Sequence, residues 1–277
     1  MNRQGDEGTT ILVTGGTGKI GRRVAQRLVA AGLDARIGSR GGTPPFDWED
    51  RTTWTPLLSG ARAAFLNYAP DLSVPGAPEA IGAFAAAAVE SGVRRLVLLT
   101  GRGGSGALES EDLLKASGAE WTVVRCSWFA QNFNESDWLH AILAGELALP
   151  VGDVLEPFVD ADDIADVAVA GLTEEKHTGQ VYELTGPRPM TFADAVADIA
   201  LASGRDVRYR TISVDAYAEG LRAQHVPEPV IGQLSHLFGE VLDGSNAHVC
   251  DGVERALGRP PWDFAEFARD AASSGAW

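Results

Sequence analysis

Three glycines, Gly15, Gly18 and Gly21, follow the run Ile11-Leu12-Val13-Thr14 and precede Val24, Ala25, Leu28 and Val29 at helical spacing. Ile11 to Thr14 is β-prone and mostly apolar, as a buried parallel strand requires. Strand, glycine turn and helix in that order set backbone N–H groups at a helix N-terminus, where a dinucleotide pyrophosphate can sit. Gly15 lets the chain turn, Gly18 withholds a Cβ that would block the phosphates, and Gly21 permits close helix–strand approach. A bare glycine triplet is equally an ordinary tight turn. The strand before it and the helix after it are what point to a nucleotide. Thr17, Lys19 and Ile20 complete the loop and are grouped with the glycines as cofactor-binding residues.

Asp34 to Arg40 reads as a second strand ending in Ser39-Arg40. A carboxylate there would hydrogen-bond the ribose hydroxyls of NAD, whereas a cation accommodates the 2′-phosphate of NADP. No acid stands near that end, so NADPH is the expected cofactor, contacted by Ser39 and Arg40; the alternative is that Arg40 is a plain surface arginine. Pro44 to Trp48 is expected as a short third strand. Its Asp47-Trp48 exit either meets the adenine or, for Trp48, packs against the next helix.

Further strands are expected over Arg62–Asn67, Arg94–Thr100, Trp121–Arg125 and Val181–Leu184, with helices over Pro75–Glu90 and Ser110–Ser117. This alternation predicts an α/β fold, a Rossmann-like doubly wound and mostly parallel sheet. Right-handed crossovers bring the strand ends after residues 14, 39, 67, 100 and 125 to one edge. Asn67, Tyr68, Ala69, Thr100 and Gly101 stand at those ends and join the expected cofactor contacts.

Organisation changes after Arg125. Residues 1–130 are assigned to the nucleotide-binding domain, its sheet completed by 155–186. Residues 131–154 and 187–277 are assigned to a smaller, mainly helical lobe, expected over the strand ends with the cofactor in the cleft. Its helices are expected over Ser127–Ala144, Thr191–Ala202, Val214–Ala223, Glu228–Leu242 and Phe264–Ala272.

A chain of 277 residues with 45% hydrophobic and 22% charged residues can bury a substantial core. The net charge of −15 argues against nucleic acid or an anionic membrane as partner. Cys126 and Cys250 imply no disulfide framework and a reducing compartment. The first eight residues are polar and read as a loose tail, and the apolar run Ile81–Val89 is too short to span a bilayer. These features suit a cytoplasmic monomer or homodimer whose partner is a small molecule. His140, His177, His225, His236 and His248 show no metal-ligand spacing, and no metal is expected.

Several segments carry a resemblance: Pro44-Pro45-Phe46-Asp47-Trp48, Asn67-Tyr68-Ala69-Pro70, Leu98-Leu99-Thr100-Gly101-Arg102-Gly103 and the Arg125–Phe133 run containing Trp128-Phe129-Ala130-Gln131-Asn132. Phe158-Val159-Asp160 and Tyr182-Glu183-Leu184-Thr185-Gly186-Pro187 agree with them. From about Thr10 to about Phe267 the chain resembles the atypical short-chain dehydrogenases of the NmrA-like type. More narrowly, it is similar to the ergot-alkaloid-biosynthesis family that includes agroclavine and festuclavine dehydrogenases. That resemblance implies NADPH-linked reduction of an imine, an iminium or a conjugated system in secondary metabolism. NmrA-like proteins also include dinucleotide-binding regulators, and a non-redox cyclase or isomerase is a third reading of the same fold.

The usual short-chain dehydrogenase pairs a tyrosine acid with a lysine four residues later. Tyrosines here are 68, 182, 209 and 217, lysines are 19, 115 and 176, and no Tyr-x-x-x-Lys exists. The segment from Leu108 to Lys115 offers Glu109, Ser110 and Glu111 instead. Carbonyl reduction creates an alkoxide and gains roughly two to four orders of magnitude from a positioned proton donor. Hydride addition to an iminium yields a neutral amine and needs no proton in that step. Arg102, Trp128, Phe129 and Asn132 are the expected substrate contacts, with Tyr68 as the reserve catalytic proton donor. For each there is a plainer role: Arg102 in solvent, Trp128 and Phe129 in the core, Asn132 on backbone. Asp160 and Asp163 are expected to cap and orient a helix, and Cys126 to be an inert core thiol.

Overall fold

The computed structural model describes residues 10–277; the expected N-terminal tail lies outside the described residues. In chain order the elements are β1 (Thr10–Thr14), α1 (Lys19–Ala30), β2 (Asp34–Gly38), α2 (Trp54–Leu58), β3 (Ala63–Leu66), α3 (Ala77–Glu90), β4 (Arg95–Gly101), α4 (Ser105–Lys115) and β5 (Glu120–Cys126). There follow α5 (Trp138–Leu143), β6 (Glu146–Leu149), α6 (Ala161–Thr173), β7 (Gln180–Leu184), α7 (Phe192–Ser203) and β8 (Arg208–Thr211). The last are α8 (Val214–Ala223), α9 (Glu228–His236), α10 (Gly252–Leu257) and α11 (Phe264–Ser273). The chain divides into two compact units.

The first unit comprises the residues up to Cys126, Ala161–Leu184 and Asp251–Arg259. Its sheet runs β2-β1-β3-β4-β5-β7 with every pair parallel. Side-chain alternation buries both faces, as a parallel sheet requires. Leu12, Ala64, Leu66, Leu96, Leu98 and Val123 join one core cluster with Ile81, Phe84 and Ala88 of α3. Ile11, Val13, Phe65, Val97 and Val124 are buried between them in sequence and so point to the other face. On α1 the apolar stripe is Ile20, Val24, Ala25 and Leu28, whereas Val29 is 63% exposed, one position off the buried arc.

Pro44 to Trp48 is not a third strand, and β2 forms the sheet edge. Pro44 and Pro45 supply no ladder N–H groups, and the Phe46 N–H turns back to the Ser39 carbonyl at 2.9 Å. Phe46 and Trp48 instead bury against Phe84, with Trp54 also on Trp48.

The first turn of α6 carries Asp162 and Asp163, where acidic residues complement the helix dipole. Arg27 of α1 reaches Asp166 at 2.5 Å and Asp162 at 2.7 Å, and Arg259 holds the fully buried Asp163 at 2.6 Å. Asp163 therefore serves to fasten α6.

The second unit comprises Ser127–Asp160, Thr185–Cys250 and Pro260–Trp277. Phe133, Phe158, Phe192 and Phe264 meet at its centre with ring centroids 5.0–6.2 Å apart. Capping boxes start α7 (Thr191 with Asp194) and α11 (Asp263 with Glu266). Arg188 joins these helices by pairing with Asp198 and Asp263. β6 and β8 form a separate parallel pair.

Ser127 to Ala144 is not one helix. Phe129 pairs as extended chain with Val159, a single 3₁₀ turn follows at Ala130–Asn132, and α5 begins only at Trp138. The expected helix over Glu228–Leu242 is α9 followed by a π turn, Leu237–Val241. Among the described residues no helix is long and apolar enough to cross a membrane.

Candidate functional site

Because all six strands of the first unit run in parallel, β1 to β5 end on one edge. The glycine loop, Ser39-Arg40, Asn67-Tyr68-Ala69 and Thr100-Gly101-Arg102 all begin there. At the centre, the loop between β1 and α1 is closed by Gly18 N–H donating to the Gly15 carbonyl at 2.9 Å. Gly15 has φ of 60°, a left-handed conformation that glycine adopts at little cost. A Cβ on Gly21 would collide with the backbone of Gly15 and Gly16, so this glycine is what lets α1 lie against the loop. Gly18 differs: a Cβ there would meet only the Gly15 carbonyl, at 3.2 Å, and its outward side is open. The N-terminus of α1 has no side-chain cap and no acid in its first turn, as the approach of an anion to a helix N-terminus requires.

The other expected contacts sort by exposure. Thr17, Gly18 and Arg40 are exposed and Lys19 and Ser39 half-buried, whereas the Ile20 side chain lies in the core and leaves only its backbone to the loop. Arg40 makes no ion pair among the described residues, and no carboxylate stands within β2 after Asp34. The Asp47 carboxylate accepts the Glu49 N–H at 3.0 Å, so it is engaged in its own turn. Asn67 sits against the loop, its amide nitrogen 3.0 Å from where a Gly15 Cβ would be. Its backbone N–H donates to the Thr14 hydroxyl at 2.9 Å. Ala69 is exposed beyond it.

Three expected contacts need correction. Trp48 is 7% exposed and ringed by Phe46, Trp54, Tyr68 and Phe84, so it presents no free face to an adenine. Thr100 is 3% exposed and its hydroxyl donates to Glu111 at 3.0 Å, so it is committed inward; Gly101 beside it is exposed. Arg102 is neither in solvent nor open to a substrate anion. Its side chain is 2% exposed and its Nε donates to Glu183 at 2.8 Å.

These last two belong to a charged network that sequence reasoning did not assemble. The fully buried Glu111 carboxylate accepts from Thr100 and from Arg125, with Lys115 at 3.6 Å. Arg125 also lies 3.9 Å from Glu183, which holds Arg102. Glu111 raises the Arg125 pKa by its hydrogen bonds, burial opposing. The available signal was an arginine closing the apolar strand Trp121–Val124 and a glutamate–lysine pair at helical spacing.

Tyr68 is half-buried and packs on Trp48 at 5.1 Å. Burial pushes its pKa above the ordinary phenol value of 10.0, and the charges of Glu49 and Asp47 push it further the same way. A catalytic phenol would have a cation beside it to make it a better acid; Tyr68 has carboxylates. Cys126 is 2% exposed and burial raises its thiol pKa well above normal, which keeps it a thiol.

In the second unit Trp128 stacks on Trp138 at 5.9 Å with an interplanar angle of 11°, and Phe238 lies 5.5 Å from it. Trp128 and Phe129 remain half-buried, as does Asn132, whose carbonyl accepts from Ser136. Asp160 accepts from the buried Gln131 at 2.9 Å.

No protein-family model matches the chain. It is 33% identical over 285 residues to a (4-alkanoyl-5-oxo-2,5-dihydrofuran-3-yl)methyl phosphate reductase from Streptomyces griseus, covering 95% of this chain and 98% of that one. It is 32% identical to an NAD(P)H azoreductase from Xenophilus azovorans, over 95% of this chain and 98% of the relative. Festuclavine dehydrogenase from Aspergillus fumigatus is 30% identical, over 94% and 96%. Among solved structures, a nucleoside-diphosphate-sugar epimerase from Staphylococcus aureus superposes with a TM-score of 0.80 at 18% identity, over 94% of this chain and 99% of that one. An NADPH-dependent quinone oxidoreductase from Escherichia coli with NADPH bound gives 0.75 at 23%, over 94% and 99%. NmrA, a negative transcriptional regulator, gives 0.70 at 17%, over 97% of each chain. At these identities the structural likenesses speak to the fold.

Proposed function

The chain belongs to the NmrA-like atypical short-chain dehydrogenases, in the group that holds festuclavine dehydrogenase, and on that footing we propose that it is an NADPH-dependent reductase of a small organic molecule. The observation that carries the reading is the uncapped N-terminus of α1 behind a glycine turn whose outward side is open at Gly18. Those groups fit a pyrophosphate. Thr17, Gly18 and Lys19 would hold it through the loop, and Arg40, exposed and without a competing acid, would take the 2′-phosphate of NADP. Asn67 and Ala69 would bound the cofactor on the β3 side. When bound, NADPH supplies a hydride.

The substrate class that suits this edge is an imine, an iminium or a conjugated system. The chain has no Tyr-x-x-x-Lys pair to protonate an alkoxide; in the Leu108–Lys115 segment Glu111 is held in the interior by Arg125 of β5, and Tyr68 is weakened as an acid. An acceptor that is already cationic asks the protein only to bind and orient it. Trp128, Phe129 and Asn132 are the proposed substrate contacts, their half-buried aromatic surface suiting a flat apolar ligand. The two free thiols suit a reducing cytoplasm. The test is NADPH oxidation screened against cyclic imines, quinones and enones. Turnover on a protonated imine or a conjugated acceptor is the expected result; tight NADPH binding with no turnover on any of them would replace this reading with a cofactor sensor or a non-redox enzyme.

A further inference from the structure

At the opposite edge of the first unit's sheet, where β3, β4 and β5 begin, a cleft of about 330 Å³ is lined by Arg62, Ala63, Arg94, Arg95, Glu120, Leu172 and Glu175. The three arginines are brought together by strand pairing. Arg94 N–H donates to the Arg62 carbonyl at 3.1 Å, and Ala63 is in register with Arg95. Like charges on adjacent strands repel, and here the compensation is uneven. Glu120 takes Arg94 at 2.7 Å and Arg95 at 3.1 Å, its own pKa pulled down by both against the opposing effect of burial. Arg95 spends a further N–H on the Leu172 carbonyl at 3.3 Å.

Arg62 has no such partner. Among the described residues it makes no ion pair or side-chain hydrogen bond, and its Nε is buried with no acceptor there. The Arg95 Nε is likewise buried with no acceptor. A buried donor left unpaired is costly, and two of them stand on residues lining one cleft. The lining carries three guanidinium groups against two carboxylates, a local cationic excess in a chain of net charge −15.

We propose that this cleft binds the oxyanion head of a small metabolite, a carboxylate or a phosphate, with Arg62 as the principal ligand and Arg95 as the second. A planar guanidinium with free N–H groups pairs with either head in a fork. The cleft is at the low end of the size range of small-molecule sites. It lies at the sheet edge away from the glycine loop, so its occupant is distinct from the cofactor, and the inference does not rest on the reductase reading.

The experiment follows the Nε–Hε signal of Arg95 by NMR, at constant ionic strength, during separate titrations with inorganic phosphate and with acetate. Reading a local signal keeps phosphate binding at the glycine loop from being counted. Saturation in the millimolar range by at least one probe is expected, and the probe that saturates first identifies the head group. In Arg62→Gln the affinity should fall about tenfold or more, while Arg62→Lys, which keeps the charge without the fork, should fall between the two. A linear response to both probes, or a binding curve unchanged in Arg62→Gln, would overturn the proposal. If Arg62→Gln does not fold, an affinity for Arg62→Lys equal to that of the native chain has the same force.

Discussion

Arg125 grips the buried carboxylate of Glu111 with two hydrogen bonds, Nε to Oε1 at 2.9 Å and Nη2 to Oε2 at 2.6 Å. The pair spans β5 and α4, and α4 holds the Leu108–Lys115 segment, which has no tyrosine. Here that helix carries an interior ion pair. Removing one partner of such a pair leaves the other charge uncompensated, which typically costs about 3–5 kcal/mol. Arg125 keeps some solvent contact, its side chain being 23% exposed, so the lower end applies. Glu111→Ala should therefore lower stability by about 3 kcal/mol in urea denaturation. An unchanged midpoint would mean that the pair fastens nothing.

Arg40 should set the choice of cofactor. It is exposed just past the end of β2 and makes no ion pair among the described residues, at a place where an acid would select NAD. Native protein should bind NADPH more tightly than NADH, and Arg40→Ala should bring the two affinities together, as calorimetry can measure. An affinity ratio unmoved by Arg40→Ala would assign the 2′-phosphate to another group.

The two inner glycines should fail in different ways. Gly18→Val adds atoms on the open side of the loop, so the variant should keep a native circular-dichroism spectrum and lose NADPH binding. Gly21→Ala drives a Cβ into the Gly15 backbone, so it should lose about 1–3 kcal/mol or more of stability, as overpacking does. Undiminished NADPH affinity in Gly18→Val would remove the proposed mode of cofactor binding.

His177 offers a test by pH. Its ring is 1% exposed, with Nδ1 2.8 Å from the Tyr182 hydroxyl. Burial lowers its pKa below the ordinary 6.5; Lys176 and Arg95 add to that and Glu174 opposes it. The unfolded chain thus takes up the proton first as pH falls. Stability contributed by the neutral ring is full above about pH 6.5 and is lost as pH falls toward the folded-state pKa. Denaturant midpoints between about pH 7.5 and 5 should fall for the native chain and fall less for His177→Gln. Parallel curves would contradict it.

The strand–turn–helix start was legible because it is local: apolar residues, glycines and a helical stripe each state their own geometry. The parallel sheet followed from the alternation of such segments. Pro44–Trp48 was misread because its apolar content suits a strand equally with a loop folded over Phe84, and only tertiary packing decides. The β6–β8 pair escaped notice because Arg208-Tyr209-Arg210-Thr211 is charged and its partner lies some sixty residues earlier. Thr100 and Arg102 stood at the right strand ends, but a strand end does not reveal which way a side chain turns. Glu111, on the next helix, turned Thr100 inward, and Glu183, far away in sequence, did the same to Arg102.

If hydride transfer needs no proton donor from the protein, Tyr68 is dispensable to turnover. The phenol sits beside Asp47 and Glu49, and burial with their charges weakens it as an acid. The decisive measurement is kcat/KM of Tyr68→Phe and of native protein with a cyclic imine and with a ketone of the same shape, across pH. Tyr68→Phe should cost little on the imine, far less than the roughly hundredfold loss that removal of a general acid brings. The rate should fall as the imine loses its proton, and the ketone should react poorly with both proteins. Fast ketone reduction by the native protein, abolished in Tyr68→Phe, would contradict it and make Tyr68 a displaced but conventional acid.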